Sequence, residues 1–121
     1  MSKTHRQITG DAAEQAAEDH LASQGLKPVA RNYRCAFGEI DLIMRDKKTL
    51  VFIEVRARKN THFASAVETV TKSKQKKIIL SAQQFMLENK TSSREDVRFD
   101  VVGISPELPL QWIENAFQVF E

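Results

Sequence analysis

Two apolar runs, GEIDLI (Gly38 to Ile43) and FIEVRAR (Phe52 to Arg58), lie close enough in the chain to fold back on each other, and charge interrupts both. Strand side chains alternate between faces, so Glu39 and Asp41 share one side of the first run, and Glu54, Arg56 and Arg58 one side of the second. A turn centred on Lys47-Lys48 predicts an antiparallel register with Asp41 opposite Glu54 and Glu39 opposite Arg56. Facing like charges destabilise a sheet. Two carboxylates so placed require a cation between them, a raised pKa or another register. The hairpin's second face carries Ile40, Leu42, Met44, Val51, Ile53, Val55 and Ala57, all apolar and expected to pack on helices. The face of Asp41 and Glu54 also carries Ile43 and Phe52 and is expected to be partly covered.

The flanking pattern supplies the rest of an α/β domain. Asp11 to Gln24 reads as a helix, with capping-box spacing between Asp11 and Glu14, an apolar stripe of Ala13, Ala16, Ala17 and Leu21, and Gly25 to end it. Leu26 to Arg34 is a strand that Pro28 confines to an edge or a strand start. The hairpin strands are Glu39 to Arg45 and Leu50 to Arg58. After a loop over 60–66, Thr71 to Asn89 has helical periodicity through Ile78, Ala82, Phe85 and Met86. Arg98 to Ile104 and Leu110 to Phe120 complete the order α-β-β-β-α-β-β, a mixed sheet flanked by helices, with residues 1–9 expected to be disordered.

The length of 121 residues fits one domain, spanning 1–121. A single cysteine, Cys35, excludes an internal disulfide and argues against a thiolate zinc site. The polar start lacks a secretory h-region and no apolar run reaches the length of a membrane span, so a cytoplasmic location without a membrane partner is expected. The net charge of +2 identifies no partner, but basic residues cluster in Arg56-Ala57-Arg58-Lys59 and in Lys72 to Lys77. A phosphate backbone is met by such local patches.

Spacing alone leaves two readings of Asp41 and Glu54 open. One is a strand pair neutralised by Arg56, Arg58 or Arg34. The other is a seat for Mg²⁺, which takes hard oxygen ligands from one or two carboxylates and leaves other positions to water and phosphate. Arg56 and Arg58 fit bidentate contact with a phosphate, although for Arg56 the residues slightly favour an ion pair with Glu39 across the hairpin. Glu14 is explained by the capping box, although it borders the apolar stripe and could reach the sheet. The lysines at 72, 74, 76 and 77 read first as a solvated helix face, but they crowd an N-terminal turn where the macrodipole disfavours cations, which makes a phosphate partner somewhat more attractive.

Gly10-Asp11-x-x-Glu14 followed by Gly25, then Arg31-Asn32-Tyr33, GEIDLI, VFIEVRAR, a helix bearing Lys74, and Arg98-Phe99-Asp100-Val101-Val102 together resemble the bacterial YraN family. That family is similar to the PD-(D/E)xK nuclease superfamily, and in particular to archaeal Holliday-junction resolvases. The resemblance implies a restriction-endonuclease-like three-layer α/β/α sandwich. It implies that Asp41 and Glu54, joined by the Val55 carbonyl, bind Mg²⁺ or Mn²⁺, and that Glu14 supports the metal or its waters. Arg56 stands where the superfamily has a lysine that orients or activates the attacking water, and Lys74 falls near the phosphate. Arg58, Lys72, Lys74, Lys76 and Lys77 are the expected nucleic-acid contacts. The implied function is a metal-dependent endonuclease acting on DNA, branched or damaged DNA included, with a homodimer as in the junction-cutting relatives. Arg56 keeps the positive charge but cannot release a proton. The alternative is therefore a non-catalytic nucleic-acid-binding or protein-interaction module on the same scaffold.

Overall fold

The hairpin forms in the register expected of its turn. Asp46 pairs with Thr49 across Lys47-Lys48, where Lys47 has φ 56°, and the ladder runs on to Leu42 opposite Ile53. A computed structural model describes residues 2–57, 66–91, 95–105 and 109–119, with side chains from residue 10 and, past the first break, from residue 68. Its elements are α1 (Ser2–Ser23), β1 (Lys27–Cys35), β2 (Gly38–Asp46), β3 (Thr49–Ala57), a one-turn 3-10 helix (Ala66–Thr69), α2 (Lys72–Glu88), β4 (Asp96–Ile104) and β5 (Gln111–Phe117). This is the predicted order. The first helix differs at its start, running from Ser2 and not from Asp11, so Glu14 lies in mid-helix and no capping box explains it. Gly25, at φ 102°, ends that helix as expected, and Leu26 N–H closes back on the Leu21 carbonyl at 3.1 Å.

The five strands lie side by side in chain order. All neighbours are antiparallel except β3 and β4, which run parallel because α2 carries the chain back between them. Pro28 sits on the edge strand β1, next to a register shift between Pro28 and Ala30. Helix α1 covers one face through Ala17 and Leu21, which pack with Leu42, Met44, Val51 and Ile53. Helix α2 covers the other, with Ile78, Ala82 and Phe85 against Ile43, Phe52 and Val101. Rings of Tyr33, Phe85, Phe52, Phe99 and Phe117 form a chain across that second face, with successive centroids 5.2 to 6.0 Å apart. Both hairpin faces are thus core. Ile43 and Phe52 are fully buried and not merely part-covered, while Ala57 is exposed.

Strict alternation fails at one level of the sheet. Leu42 and Met44 join the α1-side core, yet Ile40 joins Ile43 in the α2-side core. Ile40 therefore leaves the face on which alternation placed it. On the neighbouring strand, Arg31 reaches α1 at Gln15 and Glu18, whereas Ala30 and Tyr33 belong to the α2 side. Between Arg31 opposite Leu42 and Tyr33 opposite Ile40, the register sets Asn32 level with Asp41. Asn32 has φ 53°, a left-handed conformation that asparagine tolerates better than most side chains. The two strands switch faces together at this level. Replacing Asn32 by Ala is expected to cost about 1–2 kcal/mol in urea unfolding, since Cβ strains the left-handed backbone without amide compensation. Asn32→Gly should lose less than Ala; equal losses would mean the backbone conformation is not what the residue supplies.

Candidate metal and nucleic-acid site

The face switch has a counterpart on the other side of β2. Pairing of β2 with β3 stops at Leu42–Ile53, while β2 stays paired with β1 down to Gly38 and β3 with β4 up to Ala57. The hairpin is therefore split at its open end, and Asp41 and Glu54 are the next residues on either side of the split. Asp41 Oδ2 accepts the Val55 N–H at 2.8 Å, so a carboxylate bonds the backbone just beyond the last rung of the ladder. The expected proximity of Asp41 and Glu54 is present, and Val55 enters the site through its N–H.

The pair is strained electrostatically. Burial, and then the charge of Glu54, push the Asp41 carboxyl up to about 7, with the Val55 N–H a partial offset. Burial also raises Glu54, against the charge of Arg56, the bond from Asp41 and the charge of Lys74. One proton held between two adjacent carboxyls is the state such a pair adopts without a cation. Glu14 approaches from α1. Its carboxyl is raised by burial and by the charge of Asp41, and is hydrogen-bonded to the Asn32 side chain. Glu14 Oε1 is buried without a hydrogen-bond partner among the described residues, with Arg31 Nε at 3.8 Å.

Arg56 departs from the predicted pairing. Its Nη1 donates to Glu54 Oε2 at 3.2 Å, Nε to Thr69 Oγ1 at 3.0 Å and Nη2 to the Thr69 carbonyl at 3.1 Å. Glu39 instead lies 3.8 Å from Arg34 on the adjoining strand. The expected Glu39–Arg56 ion pair does not form, because Glu39 lies beyond the split while Arg56 is drawn to Glu54 and the 3-10 helix. Lys72, Lys74, Lys76 and Lys77 are exposed on the first turns of α2, which Thr71 caps by accepting the Lys74 N–H. Arg58 lies outside the described residues.

Two site residues had no role assigned from sequence. Asn32 carried a signal, being an asparagine inside an otherwise strand-like run. Thr69 carried none, since its contact with Arg56 spans 13 residues.

Among the described residues no three Asp, Glu, His or Cys side chains converge tightly enough to enclose an ion. The site offers two adjoining carboxylates and, from α1, Glu14 Oε1, which takes no hydrogen bond among the described residues. That set fits Mg²⁺ or Mn²⁺, which keep several waters and need one or two carboxylates, better than a metal demanding a full protein cage. Among the described residues no helix is long and apolar enough to cross a membrane.

Residues 13–104 match the sequence model of the uncharacterised protein family UPF0102. A UPF0102 protein of Saccharophagus degradans is 53% identical over 113 residues, covering 93% of this chain and 95% of the relative. One from Nitrosococcus oceani is 43% identical over 119 residues, covering 96% and 95%. A Vibrio cholerae relative is 48% identical over 109 residues, covering 88% and 89%.

Proposed function

The chain belongs to the UPF0102 family, and from the site just described we propose that it is a Mg²⁺- or Mn²⁺-dependent endonuclease that hydrolyses phosphodiester bonds in DNA. The observation that carries this reading is the half-buried Asp41–Glu54 pair in the split of the hairpin, with Asp41 pushed up to about 7. A fold does not keep two adjoining half-buried acids for stability, since desolvation raises both and the charge of Glu54 raises Asp41 further. A divalent ion bound there supplies a Lewis acid for a phosphoryl oxygen and an activated water. Asp41 and Glu54, with the Val55 carbonyl, hold it. Glu14 Oε1 accepts from a water on the α1 side, and Arg56 fixes Glu54 in its bound orientation. In the reaction the oxygen of water bonds to phosphorus, one ester P–O bond breaks, and a proton passes to the departing alkoxide. The lysines at 72, 74, 76 and 77 receive the phosphate backbone, with Arg58 as a further contact. Branched or damaged DNA in the cytoplasm, cut by a homodimer, is the substrate setting we favour.

Purified protein with branched, nicked and single-stranded DNA is expected to give Mn²⁺-dependent cleavage that falls at least about 100-fold in Asp41→Ala and in Glu54→Ala. Cleavage that survives both substitutions belongs to a contaminant and defeats the proposal. A second reading is favoured by one observation, the engagement of Arg56 by Glu54 and Thr69. It is a DNA-binding module without turnover, recognisable by salt-sensitive binding with no cleavage in any divalent ion.

A further inference from the structure

The turn between β1 and β2 rests on α2 beside a buried serine that the fold leaves without a bond. Ala36 and Phe37 form the turn, and Cys35 pairs with Gly38 across it. Cross-strand partners share a face of the sheet. A Cβ on Gly38 would lie 3.7 Å from Ser81 Oγ and 3.8 Å from Lys77 Cβ, so Cys35 faces the same stretch of α2. Two residues earlier on that face, the Tyr33 ring packs on Phe85 at 5.2 Å and its hydroxyl donates to Glu88 Oε1 at 2.7 Å. Ser81 is fully buried, and its Oγ has no partner at ordinary hydrogen-bond geometry among the described residues. A serine in mid-helix can donate to the carbonyl one turn back, and this one does not. Leaving a buried hydroxyl unpaired costs about 1–3 kcal/mol. Alanine would suit the core better at this position.

A charged sulfur gives that hydroxyl a use. Cys35 is the chain's one cysteine and is half-buried, open to solvent on the side of the exposed turn. We propose that Cys35 is a modification site, oxidised to a sulfenic acid by small hydroperoxides, with the Ser81 hydroxyl as the donor that holds its thiolate. Burial opposes charge on the sulfur, but the Ser81 hydroxyl and the Phe37 and Gly38 N–H groups outweigh it and hold the thiol below its ordinary value, against the charge of Glu88. In the reaction the thiolate sulfur bonds to one peroxide oxygen and the O–O bond breaks. The electron pair leaves with the other oxygen as hydroxide, which takes a proton from water. Sulfur is oxidised by two electrons and the peroxide reduced. With no second cysteine in the chain to condense with, the sulfenic acid persists until an external thiol reduces it. None of this draws on the acid pair of the hairpin, so it stands apart from the nuclease reading.

The test treats the full chain with hydrogen peroxide at pH 7 and follows sulfenic acid by dimedone trapping and intact mass, which separates it from methionine oxidation. The native thiol is expected to react about tenfold faster than the same thiol in the urea-unfolded chain. Ser81→Ala is expected to slow the native reaction by about tenfold, the worth of a hydrogen bond to a charged group. The same variant should resist urea as well as the wild type or better, because it removes an unpaired buried hydroxyl. A native rate no faster than that of the unfolded chain overturns the proposal. A Ser81→Ala variant that keeps its rate, whatever its stability, overturns the part given to Ser81.

Discussion

Asp41→Asn is expected to be more stable than the wild type at neutral pH and to lose its response to Mn²⁺. Asp41 titrates near 3.8 in the unfolded chain and near 7 in the folded one. Between those values the folded protein binds more protons than the unfolded, so wild-type stability falls as pH rises through the window. Asparagine has no proton to lose and keeps an oxygen for the Val55 N–H. The two proteins should therefore match below pH 4, and the variant should lead by up to about 4 kcal/mol above pH 7 in the absence of metal. Mn²⁺ narrows this gap by binding the deprotonated wild-type pair. At a hundredfold excess over its Kd it adds about 2.7 kcal/mol to the wild type. It adds nothing to the variant and less to the wild type at pH 6 than at pH 8, because protons compete for the site. Urea denaturation at pH 4, 6 and 8, with and without Mn²⁺, reads all of this. A wild-type–variant difference that does not change with pH means Asp41 does not titrate as the half-buried pair requires.

Asp100→Ala should have the opposite character, a large loss of stability. Asp100 is fully buried and accepts from Arg98 Nε at 3.1 and 3.2 Å, Trp112 Nε1 at 3.0 Å and the Asn115 N–H at 2.9 Å. Arg98 goes on to Asp46 at 2.9 Å and Glu114 at 3.2 Å. The network sits where the β4–β5 register shifts between Phe99 and Val101, and Asn115 takes φ 52° there. Removing Asp100 leaves a half-buried guanidinium and two donors without their shared acceptor. The expected cost is about 3–5 kcal/mol, measured by urea denaturation. Asp100→Asn should lose less, since one oxygen remains for Trp112 or Asn115. Losses below 1 kcal/mol for Ala would mean that solvent or neighbours satisfy these donors and that the network does not hold β5 in place.

The sequence made the hairpin legible because a two-residue turn and period-2 apolar runs determine register between them. Asp46 opposite Thr49 already places Asp41 at Glu54. The second helix was readable to its cap at Thr71 because apolar periodicity and cap chemistry agree there. The face switch at Asn32 and Asp41 was not readable, since alternation assumes a uniform strand and Ile40 obeys the assumption only in sequence. The partner of Arg56 was hidden for a different reason. Within the hairpin Glu39 looked like its natural mate, but the choice was made by Thr69, which folding brings in from outside. The start of α1 was missed because Gly10 and a plausible cap at Asp11 argue for a boundary that the backbone passes through.

The side-by-side order of the strands has a consequence for how the chain is made. Glu14, Asp41 and Glu54 all precede residue 58, and α1 with the first three strands is a run of neighbour-to-neighbour contacts. On a ribosome the acids can therefore meet before α2 has been synthesised. The rings that close over Phe52, Phe85 and Phe99, arrive later. For that interval the nascent sheet has one face covered by α1 and the other bare, with β3 lacking its parallel neighbour. Pairing β3 with β4 is the slow, long-range step of this fold. It is also the step during which an exposed apolar face and an open strand edge are most prone to capture another chain.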